Sequence, residues 1–119
     1  MTQAGGIPSA QAEVAAFLAG LAGAAPIETH ISAIFVGRET AWKMKKAVAL
    51  GFLDFSSLEA RGHFCRRELE LNQPAAPGIY RDVVAVTRAP DGNLQQGGGG
   101  EVVEWVLRMA PIPTGDFLD

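Results

Sequence analysis

The chain has 119 residues, 48% of them hydrophobic, with a formal net charge of −3 and a pI near 5.3. That length fits one domain with a real core, and the apolar fraction excludes an intrinsically disordered chain. The acidic balance argues against bulk nucleic-acid binding and against an anionic membrane surface as partner. A lone Cys65 rules out an internal disulfide and a multi-cysteine zinc site. With no basic, apolar leader at the start, the expected compartment is the reducing cytoplasm. The Ala/Gly-rich stretch over 14–25 is apolar but short for a membrane span, and it reads as a surface helix of a soluble domain.

Residues 1–8 read as a disordered N-terminus. A helix is predicted over 10–21, where Val14, Phe17, Leu18 and Leu21 recur at three- and four-residue steps. Pro8 or Ser9 can start it, and Gly20 or Gly23 can stop it. Residues 29–36, rich in β-branched and aromatic types, predict a strand. Gly37-Arg38-Glu39-Thr40 is a turn and 41–48 a second strand, so the pair forms an antiparallel hairpin. Alternation places Ala41, Lys43 and Lys45 on one face and Trp42, Met44 and Lys46 on the other.

Residues 52–57 read as a loop, with Ser56 or Ser57 capping a helix over 58–73 that ends before Pro74. At 100° per residue, Leu58, Gly62, Cys65, Leu69 and Asn72 form one stripe. Phe64 and Leu71 form a second apolar sector, and Glu68 falls between the two, aimed inward. Glu70 points away, one turn after Arg66, as half of an exposed ion pair. After a loop at 74–78, strands are predicted over 83–88 and 101–109. They are joined by the turn Pro90-Asp91-Gly92-Asn93 and the four glycines at 97–100. Residues 111–119, with Pro111 and Pro113, read as a hinge- or linker-like tail. The fold class is therefore α+β: an antiparallel sheet with one main flanking helix, plus an N-terminal helix.

Chemistry concentrates in two segments. Ala41-Trp42-Lys43-Met44-Lys45 is followed about two dozen residues later by Arg67-Glu68-Leu69-Glu70-Leu71. A strand carrying a lysine two residues after a small residue, then a helix with an inward glutamate, is how kinase-like folds hold ATP: the lysine reaches the phosphates and the glutamate directs the lysine. The ordinary alternative for Lys43 is an edge-strand lysine that guards against aggregation. The ordinary alternative for Glu68 is a flank residue with its head in water. Lys45 competes with Lys43, but the place two residues before the phosphate lysine packs under adenine. Ala41 suits that place and a charged side chain does not. Lys45 then adds positive potential beside the phosphates.

Other motifs carry less. The glycines at 97–100 lack the Lys-Ser/Thr and helix that a Walker loop requires, since Glu101-Val102-Val103 follows. His30 and His63 with one cysteine fall short of a zinc set. Cys65, on the apolar stripe, reads as a buried small hydrophobe.

Several segments together resemble a known family. They are Thr29-His30-Ile31-Ser32-Ala33-Ile34-Phe35, Ala41-Trp42-Lys43-Met44-Lys45-Lys46-Ala47-Val48, Phe52-Leu53-Asp54-Phe55-Ser56-Ser57-Leu58-Glu59 and Glu68-Leu69-Glu70-Leu71-Asn72. With Ala76-Pro77-Gly78-Ile79-Tyr80, Val83-Val84-Ala85-Val86-Thr87-Arg88 and Val102-Val103-Glu104-Trp105-Val106-Leu107-Arg108-Met109, the pattern is similar to the N-terminal lobe of bacterial predicted kinases of the aminoglycoside phosphotransferase-like family. The resemblance spans residues 9 to 110. It implies a protein-kinase-like N-lobe that binds ATP, with Lys43 and Glu68 as the phosphate pair, Ala41 and Lys45 beside them, and 106–109 entering a hinge whose Met109 region meets adenine. There is no Gly-x-Gly-x-x-Gly loop, so phosphate cover would fall to the first hairpin. The catalytic aspartate and the metal ligands of such kinases have no counterpart in these residues. The expectation is an ATP-binding lobe that is inactive alone, with Mg²⁺ supplied by solvent or by a separate catalytic lobe as partner. The alternative is a non-enzymatic interaction or homodimerisation module that uses the exposed lobe face.

Overall fold

The computed structural model describes residues 6–51, 53–76 and 78–111. A 3-10 turn, Ser9–Gln11, leads into helix α1, Ala12–Ala22. Gly23, at φ 76°, ends the helix in the left-handed conformation that favours glycine, with its N–H on the Ala19 carbonyl. Strands β1 (Ile27–Glu28), β2 (Ser32–Val36) and β3 (Ala41–Lys45) follow, then the short pair β4 (Ala49–Leu50) and β5 (Leu53–Asp54). Helix α2 covers Leu58–Asn72, and the chain closes with β6 (Tyr80–Arg88), β7 (Leu94–Gln96) and β8 (Glu101–Met109).

Six strands form one antiparallel sheet in the order β1-β2-β3-β8-β6-β7. β8 lies between β3 and β6, with Lys43 opposite Leu107 and Val84 opposite Val106. Each face of the sheet buries one helix. On one side Val14 and Leu18 of α1 pack on Ala33, Phe35, Trp42, Met44, Val86 and Val106. On the other, Leu69 of α2 packs on Ala41, Leu107 and Met109. β2, on which α1 packs, is an almost unbroken buried run. The expected α+β class, antiparallel sheet, flanking helix and N-terminal helix are all present.

α2 packs closely on β8 at Gly62. A Cβ built on Gly62 would lie 2.7 Å from Cδ1 of Trp105, so only glycine permits this approach. One turn on, the Cys65 thiol donates weakly to the Trp105 carbonyl at 3.8 Å. The helix starts at Ser57, whose hydroxyl accepts from the Ala60 N–H at 3.1 Å.

Several predicted boundaries are corrected. The strand expected over 29–36 begins only at Ser32, because Thr29 Oγ1 accepts from the Ser32 N–H at 3.1 Å and builds a turn between β1 and β2. The strand expected over 41–48 ends at Lys45, so Lys46 leaves the alternation; its ammonium is buried against Glu28 at 3.0 Å. The last two predicted strands do pair, but β7 intervenes in the chain, and the four glycines lead from β7 back across to β8. Leu71 is 66% exposed and is not an apolar sector of α2. Arg66 stacks on the Trp105 ring, 4.4 Å from its centroid, in place of an ion pair with Glu70. Of the N-terminus expected to be disordered, residues 6–8 are described, and Ile7 packs against the α1-side core. Residues 1–5 and most of the expected tail, 112–119, lie outside the described residues. No helix of the described residues is long and apolar enough to cross a membrane.

Candidate functional site

β3 and α2 bring three charged groups together. Strand alternation turns Ala41, Lys43 and Lys45 toward α2. The stagger of the helix turns Glu68 back toward the strand. Lys43 Nζ donates to Glu68 Oε2 at 2.8 Å and Lys45 Nζ to Glu68 Oε1 at 2.6 Å, so one carboxylate bridges two ammoniums. The side chains are largely withdrawn from water, with relative exposures of 22% for Lys43, 8% for Lys45 and 14% for Glu68. Lys45 is wedged further by Phe55, whose ring centroid lies 5.8 Å from the ammonium.

Burial by itself raises the pKa of Glu68, but Lys43 and Lys45 together outweigh it and hold the carboxyl below its ordinary range. Burial pushes the neighbouring Cys65 thiol up to about 11, against the field of Lys45. Tyr80 is raised by burial and by the Glu68 charge. The three-group cluster carries two positive charges and one negative. A surplus cation inside a mostly dry wall fits an anionic ligand.

Of the five residues singled out from the sequence, Lys43, Lys45 and Glu68 are in direct contact. Ala41 is on the same face and is the β-partner of Met109. Both are buried, in a cluster with Leu107 against which Leu69, Ile79 and Tyr80 pack. Residues 106–109, expected to enter a hinge, are the end of β8, where Met109 pairs with Ala41 on one side and Tyr80 on the other. The Ala110 N–H then bonds the Ile79 carbonyl at 2.7 Å. Strand pairing thus runs to the end of β8, and a hinge could begin only beyond it. A cleft of about 500 Å³ opens elsewhere, between the end of α1 and residues 38–40, with Trp42 in its wall; that is the opposite face of β3 from Lys43.

A second polar network went unrecognised in the sequence. Glu104, 1% exposed, accepts from Arg61 Nε at 2.8 Å, from Gln11 Nε2 at 2.9 Å and from the Trp105 N–H at 3.2 Å. Arg61 also donates to the carbonyls of Phe55 and Ser56 at 3.0 and 3.1 Å. Gln11 donates to the Lys45 carbonyl and accepts from the Ala47 N–H at 2.8 Å. This network ties the first turn of α2 to β8 and to the end of β3, one helical turn and more before Glu68. The signal was Glu104 itself, a carboxylate inside the apolar run Val102-Val103-Glu104-Trp105-Val106.

Over 68 residues, 57% of this chain, the sequence is 32% identical to an uncharacterized protein of Mycobacterium bovis and to uncharacterized proteins of two strains of Mycobacterium tuberculosis. The matched stretch covers 14% of the length of each of these relatives. No family model matches the sequence, and no solved structure matches the chain.

Proposed function

We propose that this chain is the ATP-binding lobe of a small-molecule kinase of the aminoglycoside phosphotransferase-like kind, working with a catalytic lobe that supplies the base and the metal ligands. The observation that carries the reading is the Lys43–Glu68 ion pair between a central strand and the flanking helix, the arrangement by which kinase folds aim a lysine at nucleotide phosphates. The surplus positive charge of the cluster supports it, because an ammonium beyond what the single carboxylate needs can make a charge-assisted hydrogen bond to a phosphate oxygen. In this reading Lys43 meets the phosphates, Glu68 directs it, and Lys45 adds potential. Ala41 offers the small surface under adenine, which requires Ile79 and Tyr80 to move aside from the cluster they cover. ATP bound there supplies the transferable phosphoryl group. These residues contribute binding and orientation, and a partner lobe contributes turnover. The small share of the relatives' length that the chain matches is what a lobe of a larger protein would show.

Calorimetric titration with Mg-ATP tests this. The expected result is heat at millimolar nucleotide that is lost in Lys43→Ala. No heat in the unmodified chain, or unchanged heat in the variant, refutes it.

A further inference from the structure

The geometry points to Lys45 as a positioning residue: it keeps the Glu68 carboxylate paired and in place, so that the Lys43 ammonium is free to leave it for a ligand phosphate. This rests on the nucleotide-binding reading above and assigns a role within it. The two lysines hold different oxygens of one carboxylate, Lys45 on Oε1 and Lys43 on Oε2. Lys45 is the deeper of the two, 8% exposed against 22%, and its ammonium is confined between Glu68 and the buried Phe55 ring. Lys43 has the more open position.

A carboxylate this far out of water resists losing its cation, because desolvation then has nothing to offset it. With one lysine, turning the ammonium toward a phosphate would strip Glu68. With two, the deep ion pair persists while the shallow one exchanges. Asn72 Nδ2 meanwhile bonds the Glu68 carbonyl at 2.8 Å and fixes the helix turn from which the carboxylate projects. Among the described residues beside the pair, the raised Cys65 and Tyr80 are neutral, and the Glu104 carboxylate is taken up by Arg61 and Gln11 rather than by either ammonium.

The test uses Mg-ADP and inorganic pyrophosphate as probes, titrated by calorimetry into the unmodified chain, K43M, K45M, K45R and the double variant K45M/E68Q. K43M is expected to weaken binding by tenfold or more, about the loss of one charge-assisted contact. K45M is expected to weaken it by about tenfold, because Glu68 then competes with the ligand for Lys43. K45R keeps the pair and the affinity. In K45M/E68Q the competing charge is gone, and affinity rises about threefold or more above that of K45M while staying below the unmodified chain, which keeps the carboxylate that aims Lys43.

A double variant as weak as K45M makes Lys45 a direct ligand contact and overturns the proposal. So does a K45M that binds like the unmodified chain. In both outcomes a weak K43M leaves the nucleotide-binding reading standing, whereas an unmodified chain that binds neither probe removes both. A ligand-free readout decides the matter if K45M fails to fold. By carbon-13 NMR of the Glu68 carboxyl, K43M should still ionise below the ordinary range on Lys45 alone. A Glu68 that titrates at or above its ordinary value in K43M overturns the proposal.

Discussion

Replacing Glu104 by leucine tests whether the buried Arg61–Glu104 pair anchors α2. The substitution removes the acceptor of three donors at once: Arg61 Nε, Gln11 Nε2 and the Trp105 N–H. Removing one partner of a buried ion pair destabilises by roughly 3–5 kcal/mol, because the other charge stays out of water. Two features put the loss at the lower end. Arg61 keeps the carbonyls of Phe55 and Ser56, and Gln11 keeps the Lys45 carbonyl. The expected loss is therefore about 3 kcal/mol, a large share of the 5–15 kcal/mol by which domains are stable. At about 4 °C per kcal/mol for a chain of this size, the melting midpoint falls by roughly 12 °C. The double variant E104L/R61M removes both charges and should recover about 1–2 kcal/mol of that loss, since buried pairs are replaceable by apolar groups of similar volume. Urea denaturation followed by circular dichroism reads all three proteins. An E104L within 1 kcal/mol of the unmodified chain, or a double variant less stable than E104L, refutes the argument.

Gly62→Ala sets helix propensity against packing. Alanine in a helix interior gains about 1 kcal/mol over glycine, but the new Cβ meets the Trp105 ring at 2.7 Å, and overpacking costs about 1–3 kcal/mol. Net destabilisation by about 1 kcal/mol is expected in a denaturation curve, and a stabilised variant contradicts the close approach. Glu68 links stability to pH. Its folded pKa lies below the ordinary 4.5, so its contribution is complete above that value and is lost as pH falls through the folded pKa. In K43M/K45M the buried carboxyl has no cation, its pKa rises, and its contribution reverses sign. Relative to the unmodified chain, that variant should lose more stability at pH 7 than at pH 4, as measured by denaturant midpoints. Cys65, fully buried with its thiol raised to about 11, should not react with a disulfide reagent at pH 8 until the chain is unfolded. Rapid labelling of the native protein is the contrary result.

The parts of the fold legible in the sequence were those fixed by neighbours along the chain. Ser57 caps α2 by bonding three residues ahead, and the period of two in 41–45 turned both lysines to one side. Glu68 was placed by helix geometry, and its meeting with Lys43 needed only that α2 lie across the face that Ala41 and Lys43 share. What stayed hidden was set by contacts across long sequence separations. β3 stops at Lys45 because the Gln11 side chain takes the Lys45 carbonyl and the Ala47 N–H, an amide acting where a strand would otherwise continue. Nothing near 45–48 announces a partner 34 to 36 residues upstream. β7 escaped for a different reason, since Leu94-Gln95-Gln96 has no alternation and pairs only along the edge of β6. The same Gln11 amide also reaches Glu104, and so couples the end of β3 to the anchor of α2. The strand that carries Lys45 and the helix that carries Glu68 are thus braced at one junction, made of a glutamine, a glutamate and an arginine. On the proposed nucleotide-binding reading, such a brace keeps the charges in register while one lysine exchanges partners, so E104L should weaken pyrophosphate binding in a calorimetric titration as well as stability.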